Sequence, residues 1–162
     1  MKIRKRNRLA DYDYSQPGAY FITVCVKDHK CILSDVGADD HIGPHTILSP
    51  IGKVVDKYTQ QIPGVGRYVI MPNHVHMILH VSSDEQGFGP MWSSAPTDTC
   101  VENMVRTWKT LISKELGRSI WQRSYYDHII RDEKDYEMIA SYIVGNPGKW
   151  FEDKYYHLAA QR

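Results

Sequence analysis

Residues 73–81 read Asn73-His74-Val75-His76-Met77-Ile78-Leu79-His80-Val81, and this stretch decides how we interpret the fold. Its apolar side chains recur at every second position, which predicts a half-buried β-strand. One face of that strand is entirely apolar and carries Val75, Met77, Leu79 and Val81. The opposite face carries three imidazoles and one isoleucine, at His74, His76, Ile78 and His80.

Two of these imidazoles have the spacing of metal ligands. His74 and His76 leave the same face of the strand, roughly 7 Å apart at the backbone. Both rings can then bind one ion at about 2.1 Å from each nitrogen, which suggests a metal-dependent enzyme. Seen alone, a His-x-His pair on a strand is more often structural. His80 lies roughly 13 Å along the strand from His76, too far to join the same ion, and we expect it at the rim of the site.

The composition is that of an ordinary globular protein. The 162 residues are 42% apolar and 24% charged, and we expect a single domain spanning 1–162. No apolar run reaches the ~20 residues of a membrane span, and the basic N-terminus lacks the apolar segment of a signal peptide. Three cysteines without metal-ligand spacing, at 25, 31 and 100, favour reduced thiols and a cytoplasmic location.

Two segments stand apart from the predicted core. Five of the first eight residues are Lys or Arg and none is acidic, which predicts a basic arm over 1–10. Arg4, Lys5 and Arg6 can contact phosphates there, although a solvated disordered tail explains the cluster equally well. Residues 83–97 show little pattern and contain several Gly and Pro residues, which predicts a mobile loop.

Strand and helix patterns alternate along the rest of the chain. β-Branched and aromatic residues predict four strands, at 19–26, 66–71, 73–81 and near the end of 121–131. Capping residues followed by apolar residues at helical spacing predict three helices, which begin at Ser49-Pro50, behind Thr99-x-x-Glu102 and at Asp132. We expect residues 27–46 to form a loop or short hairpin.

The order β-α-β-β-α-β, followed by a last helix, predicts an α+β fold. This is the ferredoxin-like arrangement, an antiparallel sheet with helices packed on one face. The histidine strand is third in order and is expected to be central. The open face of the sheet can then present His74 and His76.

The last helix offers a third ligand and a nucleophile. Tyr142 and Asn146 are four residues apart and share a helix face beside the apolar stripe. Asn146 can supply an oxygen ligand, and Tyr142 can lie near the atom that the metal polarises. A tyrosine hydroxyl has a pKa of about 10 and attacks a phosphodiester only with help from a cation. Mixed nitrogen and oxygen ligands suit Mg²⁺ or Mn²⁺.

Four sequence blocks together resemble a known family. Met71-Pro72-Asn73-His74-Val75-His76-Met77-Ile78-Leu79 resembles the His-hydrophobic-His motif of the HUH superfamily. The blocks at 11–21, 121–131 and 142–147 resemble those of single-tyrosine transposases, and of these most closely the REP-associated tyrosine transposases. The blocks occur in the same order and cover nearly the whole chain, about residues 5–150.

The resemblance implies an activity and places it on these residues. It implies a ferredoxin-like fold, a divalent metal on His74 and His76, and a nucleophile at Tyr142. Such a tyrosine attacks single-stranded DNA at hairpin-forming sites, forms a 5′-phosphotyrosine link and frees a 3′-hydroxyl, which can rejoin the strand. A polar residue four positions after the tyrosine completes the metal site. It is usually Gln in the insertion-sequence branch and is Asn146 here. A homodimer is compatible with the resemblance, because some members are dimers.

Several of these residues also have simpler structural interpretations, and the chain has an alternative function. Tyr125 and Tyr126 are rival tyrosines, but a strand-like setting favours a core or base-stacking role. Arg123 and Arg131 either contact phosphate or form surface ion pairs. A non-catalytic, domesticated DNA-binding relative is the alternative function. A histidine-triad hydrolase requires a third alternate histidine where Ile78 stands, and two-histidine phosphoesterases require a His-x-Ser/Thr pair that is missing.

Overall fold

A computed structural model describes Tyr12 and the residues 16–82 and 101–160. The predicted basic arm, with Arg4, Lys5 and Arg6, and the predicted loop 83–97 lie outside the described residues. Within the described ranges, no helix is both long and apolar enough to cross a membrane.

Six strands and four α-helices make up the described part of the chain. The strands are β1 (Gly18–Cys25), β2 (Ser34–Asp39), β3 (Gly43–Leu48), β4 (Val65–Ile70), β5 (His74–Val81) and β6 (Tyr126–Ile130). The helices are α1 (Pro50–Gln60), α2 (Val101–Leu116), α3 (Glu133–Gly145) and α4 (Lys154–Ala160). Two 3₁₀ helices, Lys27–His29 and Pro147–Glu152, complete the set.

The main sheet is antiparallel and has the strand order β4-β5-β1-β6. The histidine strand β5 is therefore central, with β1 on one side and β4 on the other. This topology confirms the predicted ferredoxin-like α+β fold. The segment expected as a loop or short hairpin forms a separate antiparallel hairpin of β2 and β3.

The helices α1 and α2 cover one face of the sheet. The apolar side chains of β5, among them Val75, Met77 and Leu79, are buried there against Val55 of α1 and Trp108 of α2. The predicted alternation along β5 is thus observed. Ser49 caps α1 by accepting a hydrogen bond from Gly52 N at 3.0 Å, as expected for a serine before Pro50.

The second face of the sheet, expected to be open, is covered in part by the C-terminal third of the chain. Ile139, Ala140 and Ile143 of α3 pack on Ile78. Beyond α3, Trp150 and Tyr155 form a second cluster with the buried residues Met71 and Cys25. An apolar helix stripe must be buried against something, and this face is where it finds a partner. The histidines consequently lie beneath a cover and do not face solvent.

Candidate active site

The imidazoles of His74 and His76 meet at the start of β5. Their Nε2 atoms are 3.0 Å apart, and both residues are buried, with 0% and 2% of their surface exposed. Two atoms that each lie about 2.1 Å from one ion are about 3.0 Å apart at right angles and about 3.4 Å apart at tetrahedral angles. The observed separation therefore matches that of two ligands of a single cation.

Asn73 fixes the orientation of the first ring. Its Nδ2 donates to the carbonyl oxygens of Tyr155, at 2.9 Å, and His29, at 3.2 Å. Its Oδ1 is thereby left to accept a hydrogen bond from His74 Nδ1 at 2.8 Å. A proton on Nδ1 leaves the lone pair of His74 on Nε2, the atom that faces His76.

The second ring is held by β1. Thr23 pairs with His76 across the sheet, and its hydroxyl lies 2.8 Å from His76 Nδ1. Phe21, two residues earlier on the same face, stacks on the His76 ring with centroids 5.2 Å apart. Two side chains of β1 therefore hold the His76 ring, one by a hydrogen bond and one by stacking.

Burial keeps both imidazoles neutral. Burial is the largest cause that lowers the pKa of His74 well below its ordinary value, and the nearby His76, His29 and Lys154 act in the same direction. Burial, with a smaller effect from Lys154, lowers the pKa of His76 to about 3. Neutral imidazole is the form that binds a metal ion, so the site is ready for one at neutral pH.

Tyr142 of α3 lies next to the histidine pair. Its hydroxyl is 3.4 Å from His76 Nε2, and the two rings are 5.3 Å apart. The residue is 44% exposed, so a substrate can reach it from solvent. Partial burial raises the pKa of the phenol, while a hydrogen bond from Asn146 acts in the opposite direction. The hydroxyl is consequently protonated at neutral pH.

Asn146 follows α3 and is 2% exposed. Its Oδ1 is buried and has no hydrogen-bond partner among the described residues. An unpaired buried acceptor is costly, by about 1–3 kcal/mol, and such atoms call for an explanation. The donor set of two neutral imidazoles and an amide oxygen fits a divalent cation, which would supply the missing partner.

Sequence reasoning missed a fourth residue, Asp153. Its Oδ2 is 4.0 Å from His74 Nε2, and its side chain is 7% exposed. The ligand atoms of Asp153 and the two histidines lie within 4.8 Å of one another. Burial raises the pKa of this carboxyl. The local pattern of an Asp before a short helix predicts a cap, but no sequence signal brings it to β5.

The other predicted site residues lie away from this cluster. Arg123 and Arg131 are exposed and flank β6. Their positions do not indicate a role in the site. His80 is exposed at the far end of β5, where its ring lies 5.7 Å from that of Tyr136. Of the rival tyrosines, Tyr125 packs against the main core and Tyr126 is 51% exposed.

Comparisons with known proteins place the chain among transposases. No protein-family model matches it. It is 32% identical to an uncharacterised protein of Haemophilus influenzae, over 94% of this chain and 93% of that protein. It is 28% identical to the REP-associated tyrosine transposase of Escherichia coli, over 84% of this chain and 70% of that protein.

One solved structure supports the fold assignment. It shows a REP-associated tyrosine transposase bound to a REP hairpin, and it matches with a TM-score of 0.58 and 21% sequence identity. The match covers 95% of this chain and 77% of that chain. The similarity in structure supports the assignment of an antiparallel sheet with packed helices.

Proposed function

Since the chain belongs to the REP-associated tyrosine transposases, we propose that it cleaves and rejoins single-stranded DNA through Tyr142. The observation that carries the proposal is the 3.4 Å separation between the Tyr142 hydroxyl and His76 Nε2. It joins, within one chain, the residue assigned as nucleophile and the residues assigned to the metal.

The proposed reaction exchanges one phosphodiester for another. The Tyr142 hydroxyl oxygen forms a bond to the scissile phosphorus, and the bond from phosphorus to the 3′-oxygen breaks. The tyrosine loses its proton, and the departing 3′-oxygen gains one. The products are a 5′-phosphotyrosine and a free 3′-hydroxyl, and attack by such a hydroxyl reverses the step. Because one ester replaces another, the exchange needs no external energy source.

The chain's own residues position the nucleophile. Phe21 contacts the Tyr142 ring edge-on, with centroids 6.1 Å apart, and His76 contacts it from the sheet. Burial raises the phenol's pKa, and the hydrogen bond from Asn146 opposes part of that rise and so favours the phenolate that attacks. Ile143, the next residue along α3, is buried and anchors the helix to the sheet.

The proposed cofactor is Mg²⁺ or Mn²⁺, held by His74, His76 and Asn146. When bound, the cation supplies neutralisation of the non-bridging phosphate oxygens and so favours attack by an oxygen nucleophile. The neutral imidazoles and the unpaired Asn146 Oδ1 support this ligand set.

The proposed substrate is single-stranded DNA folded into a hairpin. This rests on the related structure, in which a REP-associated tyrosine transposase is bound to a REP hairpin. Tyr142 lies beside the histidines of its own chain, which supports catalysis within one subunit. The homodimer allowed by the sequence analysis is therefore not required to complete this site.

A covalent adduct tests the proposal. Tyr142→Phe removes the attacking oxygen, and we expect it to bind a labelled hairpin oligonucleotide but to form no adduct with Mn²⁺ present. The measurement is a denaturing gel, on which the protein–DNA adduct migrates more slowly than the free oligonucleotide.

The matched control is Tyr136→Phe, since Tyr136 lies on the same helix and its ring faces His80. This control is expected to form as much adduct as the unaltered protein. An undiminished adduct in Tyr142→Phe contradicts the proposal. Binding without any adduct in the unaltered protein instead supports the non-catalytic alternative.

A further inference from the structure

We propose that Asp153 is an additional ligand of the divalent cation, supplied from the segment that follows α3, the helix that carries Tyr142. This inference rests on the proposed function, because it concerns the same cation on His74 and His76. It adds a charged donor that neither β5 nor α3 provides.

The first support is geometric. Asp153 Oδ2 lies 4.0 Å from His74 Nε2, and its ligand atom and those of both histidines lie within 4.8 Å of one another. Ligand atoms about 2.1 Å from one ion are at most about 4.2 Å apart when they lie on opposite sides of it. The three donors therefore need only a small inward movement to share one ion.

The second support is that the Asp153 side chain is buried, although its role as a helix cap does not require burial. Asp153 caps α4, and its Oδ1 accepts a hydrogen bond from Tyr155 N at 2.8 Å. Asp132 caps α3 in the same way, through a 2.8 Å hydrogen bond from Asp135 N, and Asp132 is exposed. The side chain of Asp153 is only 7% exposed, and its second oxygen faces the histidines. Burying a carboxylate is costly unless a cation or hydrogen bonds offset the cost.

The third support is charge balance. Two neutral imidazoles and an amide oxygen bring no negative charge to a dication in a buried site. Mg²⁺ and Mn²⁺ favour carboxylate oxygen, and Mg²⁺ in proteins usually has at least one such ligand. Asp153 is the carboxylate among the described residues that lies within reach of both histidines.

Coordination by Asp153 would also tie the C-terminal segment to the sheet. The ring of Tyr155, two residues after Asp153, lies 4.3 Å from the His74 ring, and the Tyr155 carbonyl accepts from Asn73. Residues on both sides of the cation would then be joined by it. Metal binding should therefore stabilise α4 as well as β5.

The test is Mn²⁺ binding to the full chain without DNA, measured by titration calorimetry. Asp153→Asn retains a capping oxygen but removes the charge, and we expect it to weaken Mn²⁺ binding by at least about tenfold. Asp132→Asn makes the same chemical change at the exposed cap of α3 and is expected to bind as the unaltered chain does. The thermal midpoint of each variant is measured with EDTA and with saturating Mn²⁺.

With EDTA, the midpoint of Asp153→Asn should equal or exceed that of the unaltered chain, because a buried charge has been removed. Saturating Mn²⁺ should raise the thermal midpoint of Asp153→Asn by less than it raises that of the unaltered chain. If this variant does not fold, Asp153→Ser keeps a cap and replaces it in the same test.

Equal Mn²⁺ affinity in Asp153→Asn and the unaltered chain overturns the role of Asp153 but leaves the histidine site and the adduct chemistry standing. No Mn²⁺ binding by the unaltered chain overturns this inference and the proposed metal site together. Adduct formation by the unaltered chain, measured in parallel, tests the proposed DNA cleavage independently of the role of Asp153.

Discussion

At the scale of single residues, the hydroxyl of Thr23 holds the His76 ring in place through a hydrogen bond with Nδ1. A hydroxyl both donates and accepts, so Thr23 can pair with either tautomer of the ring at the observed 2.8 Å. With the proton on Nε2, His76 donates to His74 across 3.0 Å. With the proton on Nδ1, both Nε2 lone pairs are available to a cation.

Removing this hydroxyl should weaken metal binding. Thr23→Val has nearly the same shape but cannot accept from Nδ1, and we expect Mn²⁺ affinity to fall about tenfold. Stability should fall by about 1–3 kcal/mol, since a buried nitrogen loses its partner. Calorimetric titration and urea unfolding measure the two effects. Thr23→Ser, which keeps the hydroxyl, should bind Mn²⁺ as the unaltered protein does. Equal affinities in the Val and Ser variants would show that the hydroxyl has no such role.

Sequence reasoning found some of these residues because their positions follow from strand geometry. The alternation along β5 places His74 and His76 on one face wherever the strand lies. The i, i+4 spacing likewise places Tyr142 and Asn146 on one side of α3. Thr23 and Asp153 are distant in sequence from the histidines, and only strand register and chain folding bring them close.

At the scale of elements, α3, the helix that carries Tyr142, ends at Gly145, directly before the Asn146-Pro147-Gly148 segment whose sequence predicts a helix end. Asn146 keeps helical dihedral angles, with φ −60° and ψ −42°, and the chain continues directly into the 3₁₀ helix at Pro147. Gly145 lies just before this junction, and a Cβ added there would meet nothing within 4 Å. No steric reason therefore excludes a larger residue, which leaves backbone freedom as the consequence of this glycine.

Gly145→Ala should stiffen the junction. We expect the free energy of unfolding to rise by about 0.5–1 kcal/mol, because alanine loses less conformational entropy in a helix. We also expect slower adduct formation, because we propose that the backbone freedom of Gly145 lets α3 move between two positions during strand exchange. Val144→Ala, at the neighbouring exposed position, is the control and should leave the rate unchanged. Equal rates in Gly145→Ala and the unaltered protein would rule out such a movement.

The elements that sequence predicted have local signals, and those it missed do not. The caps at Ser49 and Asp132 each accept the expected backbone hydrogen bond. The 3₁₀ helix Pro147–Glu152 and α4 are short and lack a repeated apolar pattern. They are held by the burial of Trp150 and Tyr155 against residues from distant strands, a tertiary effect that local patterns do not encode.

At the scale of the whole molecule, a polar site lies between a sheet and its C-terminal cover. The β-α-β-β-α-β pattern of the sequence predicts the strand order. It does not predict that α3, the 3₁₀ helix and α4 cover the histidine face of the sheet. This cover encloses two neutral imidazoles that would bind protons readily in the unfolded chain. The fold therefore excludes protons from two sites that the unfolded chain leaves open.

This exclusion predicts acid sensitivity. The folded pKa of His76 is about 3 and that of His74 is also lowered, so the unfolded state binds more protons below pH 6.5, the ordinary imidazole pKa. Stability of the metal-free protein should be full above about pH 6.5 and should fall as the pH is lowered towards 5. Urea unfolding in EDTA at several pH values measures this.

The choice of variant isolates the contribution of the buried pair. His76→Gln removes one of the two buried imidazoles and should make the pH dependence shallower. His80→Gln, at an exposed position, should leave it unchanged. A stability that stays constant from pH 7.5 to 5 would be inconsistent with neutral buried histidines.

The most direct test of Tyr142 as the nucleophile is to identify the residue that carries the DNA. The protein is incubated with a hairpin oligonucleotide and Mn²⁺, digested with nuclease and protease, and the nucleotide-bearing peptide is sequenced by mass spectrometry. We expect a phosphodiester on Tyr142. A nucleotide on any other residue, such as the exposed Tyr126, would contradict it.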